Sequence, residues 1–175
     1  GGMWAGTYFG GINYYSKQFA VFQKYFPDNS SNSIGGSVVR EICKDSLGNL
    51  WIGTEDAGLN KMNLITGTVT QYKPSGEKNS IAYSNIHGLA TAGNELWIGT
   101  FEYGLDVMDI RTGKIQKHFI AGTGNNDLKS NFIVSLLHTR AGEIYAGTSN
   151  CLFKFNRTTN GFDNTANLPP YTFVS

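Results

Sequence analysis

The sequence has little of what several other classes of protein need. Charged residues make up 15% of the 175 positions, the formal net charge is +1, and no basic cluster occurs, which argues against nucleic acid as the main partner. No apolar run approaches the roughly 18 residues of a membrane span, so we expect no membrane insertion by this segment. No stretch keeps helical spacing over about ten residues, which argues against an α/β fold.

Residues that carry metal or nucleophile chemistry are equally scarce. No two of the 3 histidines, His87, His118 and His138, have the spacing of metal ligands, and we predict surface or internally satisfied side chains. Cys43 and Cys151 fall at different points of the pattern described below, which argues against a disulfide and predicts two small buried hydrophobic side chains. Because serine and cysteine nucleophile motifs are absent, we predict no catalytic residue, no metal site and no cofactor.

A phrase of four residues recurs at near-constant spacing. It reads Trp4-Ala5-Gly6-Thr7, Trp51-Ile52-Gly53-Thr54, Trp97-Ile98-Gly99-Thr100 and Tyr145-Ala146-Gly147-Thr148, in steps of 47, 46 and 48 residues. A period in this range is typical of a unit of four β-strands. Because a residue that recurs in every unit serves the unit itself, we predict that the three tryptophans lie in the core between units. The repeated glycine then allows close approach, and the repeated threonine pairs in its strand.

Polar clusters that contain glycine divide each unit into short strands. In the two central units they predict strands near residues 37–45, 49–55, 58–64 and 68–73, and again at 84–91, 95–101, 104–110 and 114–120. Gly67 and Gly113 stand where a tight hairpin needs a positive φ, and the fourth unit has Asn160 there, the next most tolerant residue. We expect no helix longer than two turns within 37–120.

The strands do not alternate cleanly between apolar and polar residues. Leu50-Trp51-Ile52 and residues 133–137 offer large apolar groups to both faces, so both faces must be covered. A β-propeller covers them, because each four-stranded antiparallel sheet lies between two neighbours. A parallel β-helix is the alternative, and the hairpin turns favour the propeller. We therefore predict an all-β fold of about three and a half to four propeller blades.

The phase of the repeat bears on how much of a propeller is present. We expect one propeller segment over 1–175, with repeats at approximately 1–32, 33–79, 80–125 and 126–175. Gly1-Gly2-Met3 precedes Trp4 as Gly48-Asn49-Leu50 precedes Trp51, so the chain begins at the second strand of a repeat. A four-bladed ring closes if Tyr171–Ser175 return as the missing strand. An arc of a larger propeller, which we favour, pairs its outer sheets with the remaining blades of the parent protein.

The pattern Asn-Leu-Trp-Ile-Gly-Thr-x-x-x-Gly-Leu, preceded by Ser-Asn-x-Ile and followed by Thr-Gly, resembles the two-component regulator propeller repeat. The opening segment, residues 4–15, is similar to the sensors in which this repeat is usual. The resemblance implies the periplasmic sensor region of a hybrid two-component histidine kinase of Bacteroidetes-type bacteria. Such an inner-membrane protein binds an oligosaccharide derived from a polysaccharide and signals to its kinase, and we expect the parent to be a dimer. The fourth unit departs mildly, with Tyr145 for Trp and one residue fewer in its Gly-Leu turn.

The turns between second and third strands are the candidate ligand site. In a propeller they share a face with the links between blades, where ligands usually bind. Aromatic rings stack on the CH face of a sugar, and carboxylates accept hydrogen bonds from its hydroxyls. We predict ligand contacts from the residues of these turns, namely Tyr8, Phe9, Glu55, Asp56, Phe101, Glu102 and Tyr103. The alternative is that the aromatic rings pack on neighbouring blades.

Three classes of function remain open. We favour a non-catalytic sensor segment that binds an oligosaccharide, with any kinase activity elsewhere in the parent protein. A propeller-fold carbohydrate-active lyase or hydrolase is the alternative, for which Glu55 and Asp56 would need a second carboxylate across a cleft. A protein-protein interaction scaffold is the third.

Overall fold

Four antiparallel sheets follow one another along the chain in the computed structural model. The structure describes residues 2–16, 22–28, 30, 32–149 and 151–164. In each sheet the strands are hydrogen-bonded in chain order. They are β1 (Met3–Thr7), β2 (Gly11–Tyr15), β3 (Phe22–Tyr25), β4 (Val39–Lys44), β5 (Asn49–Thr54), β6 (Leu59–Asn63), β7 (Val69–Tyr72), β8 (Ile86–Ala92), β9 (Glu95–Thr100), β10 (Leu105–Asp109), β11 (Lys114–Phe119), β12 (Ile133–His138), β13 (Ile144–Thr148), β14 (Leu152–Asn156) and β15 (Gly161–Asn164).

The predicted strands of the two central units are confirmed. Residues 37–120 form eight strands and no helix, and each strand end lies at most two residues from its predicted place. The first sheet has three strands and the other three have four each, as the all-β prediction of antiparallel blades requires. The segment 171–175, which was to complete the first sheet in the closed ring, lies outside the described residues.

The hairpins between third and fourth strands have the predicted backbone. Gly67, Gly113 and Asn160 have φ values of 72°, 68° and 50°, so asparagine does take the left-handed place of glycine in the fourth blade. A polar side chain just before each turn accepts hydrogen bonds from two backbone N–H groups within it. These residues are Asn63, Asp109 and Asn156.

The repeated tryptophans lie between blades, as predicted. The strands β4, β8 and β12, which are the first strands of the second, third and fourth blades, pack side by side. Trp51 is fully buried in a cluster with Ile86 and Leu89 of the following blade, and Trp97 is fully buried against Phe155 of the blade after it. Trp4 is half-buried against the cluster of the second blade. One position of the repeat therefore supplies the aromatic side chain of three successive interfaces.

Tyr145 replaces tryptophan in the fourth blade without loss of a polar contact. The indole Nε1 of Trp97 donates to Glu95 Oε2 at 3.1 Å, two residues earlier in the chain. The Tyr145 hydroxyl donates to Glu143 Oε2 at 3.2 Å, also two residues earlier. A partly buried donor needs such a partner, so the substitution respects the chemistry of the position.

The glycine of the repeated phrase allows the next blade to approach closely. A Cβ added at Gly6, Gly53 or Gly99 would lie 2.9, 2.7 or 2.5 Å from a methyl group of the following blade. Those methyl groups belong to β-branched residues at one position of the repeat, Val39, Ile86 and Ile133. The predicted close approach is therefore confirmed at three interfaces. A Cβ at Gly147 would meet only Ser135 of its own blade.

The last blade exposes the face that its predecessors cover. On β12, Val134 and Leu137 are 43% and 57% exposed. Ala90, which stands at the position of Leu137 one unit earlier, is buried beside Trp97. The fourth blade thus presents the same surface that the first three blades use to contact a neighbour, which agrees with an arc of a larger propeller.

A buried polar side chain ties the third strand of a blade to the segment that enters it. Asn60 Oδ1 accepts from Gly35 N at 2.7 Å, and its Nδ2 donates to Gly35 O at 3.1 Å. One unit later, Asp106 Oδ2 accepts from Ala82 N at 2.8 Å, while Oδ1 contacts His118 Nδ1 at 2.6 Å. Burial raises the pKa of Asp106, against the hydrogen bond from Ala82.

This equivalence predicts how Asp106 responds to substitution. Asp106→Asn keeps the acceptor for Ala82 N and reproduces the arrangement of Asn60, so we expect little change in the free energy of unfolding. Asp106→Leu leaves the Ala82 N–H without its partner and should destabilise the protein by about 1–3 kcal/mol. Chemical denaturation of the two variants measures the difference. Equal stability of both would contradict a structural role for the carboxylate.

Candidate functional site

The turns between second and third strands are closed by the threonine of the repeated phrase. Thr54 Oγ1 donates to Gly58 O at 2.9 Å and accepts from Ala57 N at 3.1 Å. Thr100 repeats both bonds, to Gly104 O at 2.8 Å and from Tyr103 N at 3.0 Å. The threonine therefore fixes the turn, in addition to the strand pairing predicted from sequence.

These turns lie against the links between blades. Glu55 N donates to Val38 O at the start of its own blade, and Gly58 N donates to Ser84 O in the link to the next. One unit later, Phe101 N donates to Asn85 O, and Gly104 N donates to Asn131 O. Turns and links therefore form one surface, which we call the turn face. It comprises the turns 8–10, 55–57 and 101–103 and the links 32–38, 73–85 and 120–132.

Several aromatic rings on the turn face are exposed. Tyr8 and Phe9 are 62% and 73% exposed, and their rings meet edge to face at 4.7 Å between centroids. Tyr103 is 49% exposed and stacks on Tyr83 at 4.4 Å. Tyr83 belongs to a link and was missed from sequence, because only the turns were considered. Tyr8, Phe9 and Tyr103 are thus exposed in this segment, and their role in ligand binding remains a prediction.

The predicted carboxylates of the second turn already have protein partners. Glu55 Oε1 forms an ion pair with Arg40 Nη1 at 3.1 Å. Asp56 accepts from Ser37 N, at 3.0 Å to its nearer oxygen, and so helps to hold the link. Glu102, in the third turn, is exposed. The roles of Glu55, Asp56 and Glu102 in ligand binding remain predictions.

Phe101 lies in an aromatic cluster between two blades. Its ring centroid is 4.8 Å from that of Phe132, which belongs to the next link, and 5.4 Å from that of His87. The ring centroids of His87 and Phe132 lie 5.3 Å apart. Phe101 thus packs on a neighbouring blade, as the alternative for the turn aromatics states.

The first strand of each four-stranded blade has a β-bulge near its start, and the residue in the bulge differs from blade to blade. The pairing of β4 with β5 skips Arg40, that of β8 with β9 skips His87, and that of β12 with β13 skips Val134. The three residues are spaced 47 apart. A bulge leaves one residue out of the ladder and re-aims its side chain, and bulges are frequent beside functional sites.

His87 is a buried polar residue on this side of the molecule. It is only 8% exposed, and Arg40 Nη2 lies 3.4 Å from its Nδ1. Burial, and then the charge of Arg40, lower the pKa of His87 against the smaller opposite effect of Glu55, so the ring is neutral near pH 7. Because arginine only donates, Nδ1 accepts and Nε2 carries the proton.

The Nε2 atom of His87 is buried and has no hydrogen-bond partner among the described residues. The prediction that all three histidines are surface or satisfied side chains is therefore wrong for His87. The 47-residue alignment was the available signal, because it places His87 at the position of Arg40.

Cys43 and Cys151 do not form a disulfide. The two cysteines are free and half-buried rather than buried, and burial raises the pKa of the Cys43 thiol to about 12. In the part of the chain that the structure describes, no three His, Cys, Asp or Glu side chains are grouped to hold a metal ion. Across the same ranges, no helix has the length and apolarity of a membrane span.

The four sheets are blades of a β-propeller, and comparison with known proteins agrees with the repeat seen in the sequence. Residues 27–56 match the sequence model of the two component regulator propeller family. This stretch contains the second copy of the repeated phrase, so the resemblance is confirmed there. No curated protein matches the chain at a significant level by sequence.

Solved structures share the fold over nearly the whole chain. The extracellular domain of a hybrid two component system of B. thetaiotaomicron matches with 22% identity and a TM-score of 0.66, over 93% of this chain and 28% of that one. A second such domain from the same organism matches with 22% identity and a TM-score of 0.73, over 98% of this chain and 21% of that one. Streptogramin B lyase matches with 12% identity and a TM-score of 0.68, over 94% and 50%. The chain thus spans about a quarter of the length of the first two.

Proposed function

We propose that this chain is a non-catalytic segment of the periplasmic sensor region of a two-component system. In the parent protein it binds an oligosaccharide derived from a polysaccharide and passes that event to a histidine kinase across the inner membrane. The match of residues 27–56 to the regulator propeller family carries the proposal. The likeness to extracellular domains of hybrid two component systems supports it at the level of fold.

The turn face is the proposed ligand surface. Its exposed rings, Tyr8, Phe9 and Tyr103, offer flat apolar surface to the CH face of a sugar, and the half-buried Tyr83 stacks on Tyr103. Glu102 lies beside Tyr103 on the same turn and adds a carboxylate for hydroxyl groups. A shallow surface of this kind suits an extended chain of sugars, which contacts several rings at once.

The partners of the segment are the remaining blades of its parent. The exposed face of β12, with Leu137, is the surface on which the next blade packs. We further propose that the parent is a dimer in the inner membrane, as in the family that the repeat resembles. The lyase shares only the fold with this chain, so its activity gives no support to an enzymatic alternative.

Calorimetric titration of the complete periplasmic region with defined oligosaccharides tests the proposal. Tyr103→Ala removes one stacking ring and should weaken binding by about tenfold, or about 1–2 kcal/mol. Ile65→Ala is the matched control, because Ile65 is 91% exposed and lies in the turn between β6 and β7, away from the turn face. It should leave the affinity unchanged.

Two outcomes would contradict this proposal. Unchanged affinity in Tyr8→Ala, Phe9→Ala and Tyr103→Ala, with each variant folded, would place the ligand on other blades. Turnover of the oligosaccharide during the titration would replace the sensor by a carbohydrate-active enzyme. Melting curves recorded beside the titrations separate loss of binding from loss of structure.

A further inference from the structure

The bulge residues differ from the rest of the repeat in a way that points to a ligand. Positions that serve the fold are constant or nearly so: tryptophan or tyrosine in the core, glycine at the interface, and a β-branched residue facing it. The bulge is kept in all three complete blades, yet it presents arginine, histidine and valine in turn. A constant backbone with a changing side chain is what an asymmetric ligand site built on a repeat requires.

Two of these side chains join one group of polar atoms. Arg40 contacts Glu55 Oε1 at 3.1 Å through Nη1 and His87 Nδ1 at 3.4 Å through Nη2. The side chains of Arg40 and Glu55 remain 36% and 24% exposed. The rings of Phe101 and Phe132 pack on the imidazole. We call Arg40, Glu55, His87 and Phe101 the bulge subsite.

The bulge subsite carries no net charge. The positive Arg40 is paired with the negative Glu55, and His87 is neutral near pH 7 because burial lowers its pKa. The charged residues around the bulge subsite do not add a net positive charge. The turn face and Arg40 together carry five acidic and four basic side chains, which are Glu55, Asp56, Glu77, Glu102 and Asp127 against Arg40, Lys73, Lys78 and Lys129.

Charge neutrality decides which sugars the subsite can accept. A carboxylate or sulfate on the ligand would have to compete with Glu55 for Arg40 and would lie close to the Glu55 charge, which like-charge repulsion disfavours. A hydroxyl group meets no such cost, because it can donate to Glu55 and accept from Arg40. His87 contributes by holding Arg40 in place, since its Nδ1 lies 3.4 Å from Arg40 Nη2.

We propose that the bulge subsite binds the hydroxyl groups of a neutral sugar and discriminates against uronic acids and sulfated sugars. This inference rests on the proposed function and names the class of oligosaccharide. Phe101 supplies an apolar ring next to the polar atoms, and the exposed rings of the turn face contact the rest of the ligand.

The test compares oligosaccharides that differ only in oxidation at C6. Galactose and galacturonate trimers of one linkage, and glucose and glucuronate trimers of one linkage, are titrated into the complete periplasmic region. We expect the neutral member of a bound pair to bind at least about tenfold more tightly than its acid. In Glu55→Gln the acid should gain about tenfold relative to the neutral sugar, since Arg40 then lacks its negative partner.

Two further variants make the result specific. Glu77→Gln makes the same change of charge in a link, outside the bulge subsite, and should leave the ratio of the two affinities as it is. His87→Phe removes the Nδ1 atom that holds Arg40 Nη2 while keeping an aromatic ring, and should weaken binding of the neutral sugar by about tenfold.

The outcomes separate this inference from the proposed function. Tighter binding of the acid, or a ratio that Glu55→Gln and Glu77→Gln shift equally, would overturn the neutral-sugar inference while leaving an oligosaccharide sensor in place. Binding of none of these trimers and of none of the defined oligosaccharides titrated above would overturn both. Melting temperatures of the variants within a few degrees of the parent ensure that the affinities refer to folded protein.

Discussion

Trp97→Ala is expected to destabilise the protein by about 3–5 kcal/mol, the usual range for removing a fully buried tryptophan. Its ring lies parallel to Phe119 at 6.3 Å and meets Phe155 of the next blade edge to face at 4.6 Å. The substitution also leaves Glu95 without the indole donor at 3.1 Å. Thermal and chemical unfolding of the periplasmic region measure the loss of stability. Trp51→Ala should cause a similar loss, because Trp51 is also fully buried.

Trp4→Ala is the internal comparison for this prediction. Trp4 holds the same position of the repeat but is only half-buried, so its replacement should be less destabilising than that of Trp97. If Trp51→Ala and Trp97→Ala instead melt like the parent while losing the ligand, the tryptophans are binding residues, and their assignment to the core is wrong.

Gly99→Ala should destabilise the protein by about 1–3 kcal/mol, although it adds a single methyl group. The new Cβ would lie 2.5 Å from Ile133 Cγ2 and 2.8 Å from Ile133 Cβ, so the next blade must shift. Gly147→Ala is the matched control. Its Cβ would meet only the Ser135 hydroxyl within 3.0 Å, and a rotation of that side chain relieves the contact.

A double-mutant cycle shows whether the cost of Gly99→Ala arises at the interface. Ile133→Ala removes the Cγ2 methyl that the new Cβ would strike. The double variant should therefore be more stable than the sum of the two single effects predicts, by about 0.5–3 kcal/mol. Additive losses would show that alanine acts on its own strand and not on the neighbouring blade.

Sequence reasoning succeeded where one residue type solves the same problem in every blade. Trp51 and Trp97 recur because each interface needs a large apolar group, and Gly53 and Gly99 recur because each needs room for a β-branched side chain. Asn160 in the place of glycine was predictable for the same reason, since the backbone requirement is local. The residues that recur from blade to blade are therefore the ones that the fold requires.

The candidate site was less predictable, because its residues are the ones that do not repeat. Exposure of Tyr8, Phe9 and Tyr103 agreed with expectation, while Phe101 packs inward against Phe132 of the next link. Arg40 was not singled out, and His87 was predicted to be a surface or satisfied side chain, because a bulge changes the register by one residue and no local sequence pattern indicates that change. Tyr83 lies 20 residues before Tyr103, and only the folded blades bring the two rings together.

The glycine contacts between blades also limit how this segment can move. A β-branched methyl group packs over the bare Cα of a glycine at each of three interfaces, so sliding or tilting one sheet against the next would disturb this close contact. We therefore expect the blades of this segment to move together rather than one against another.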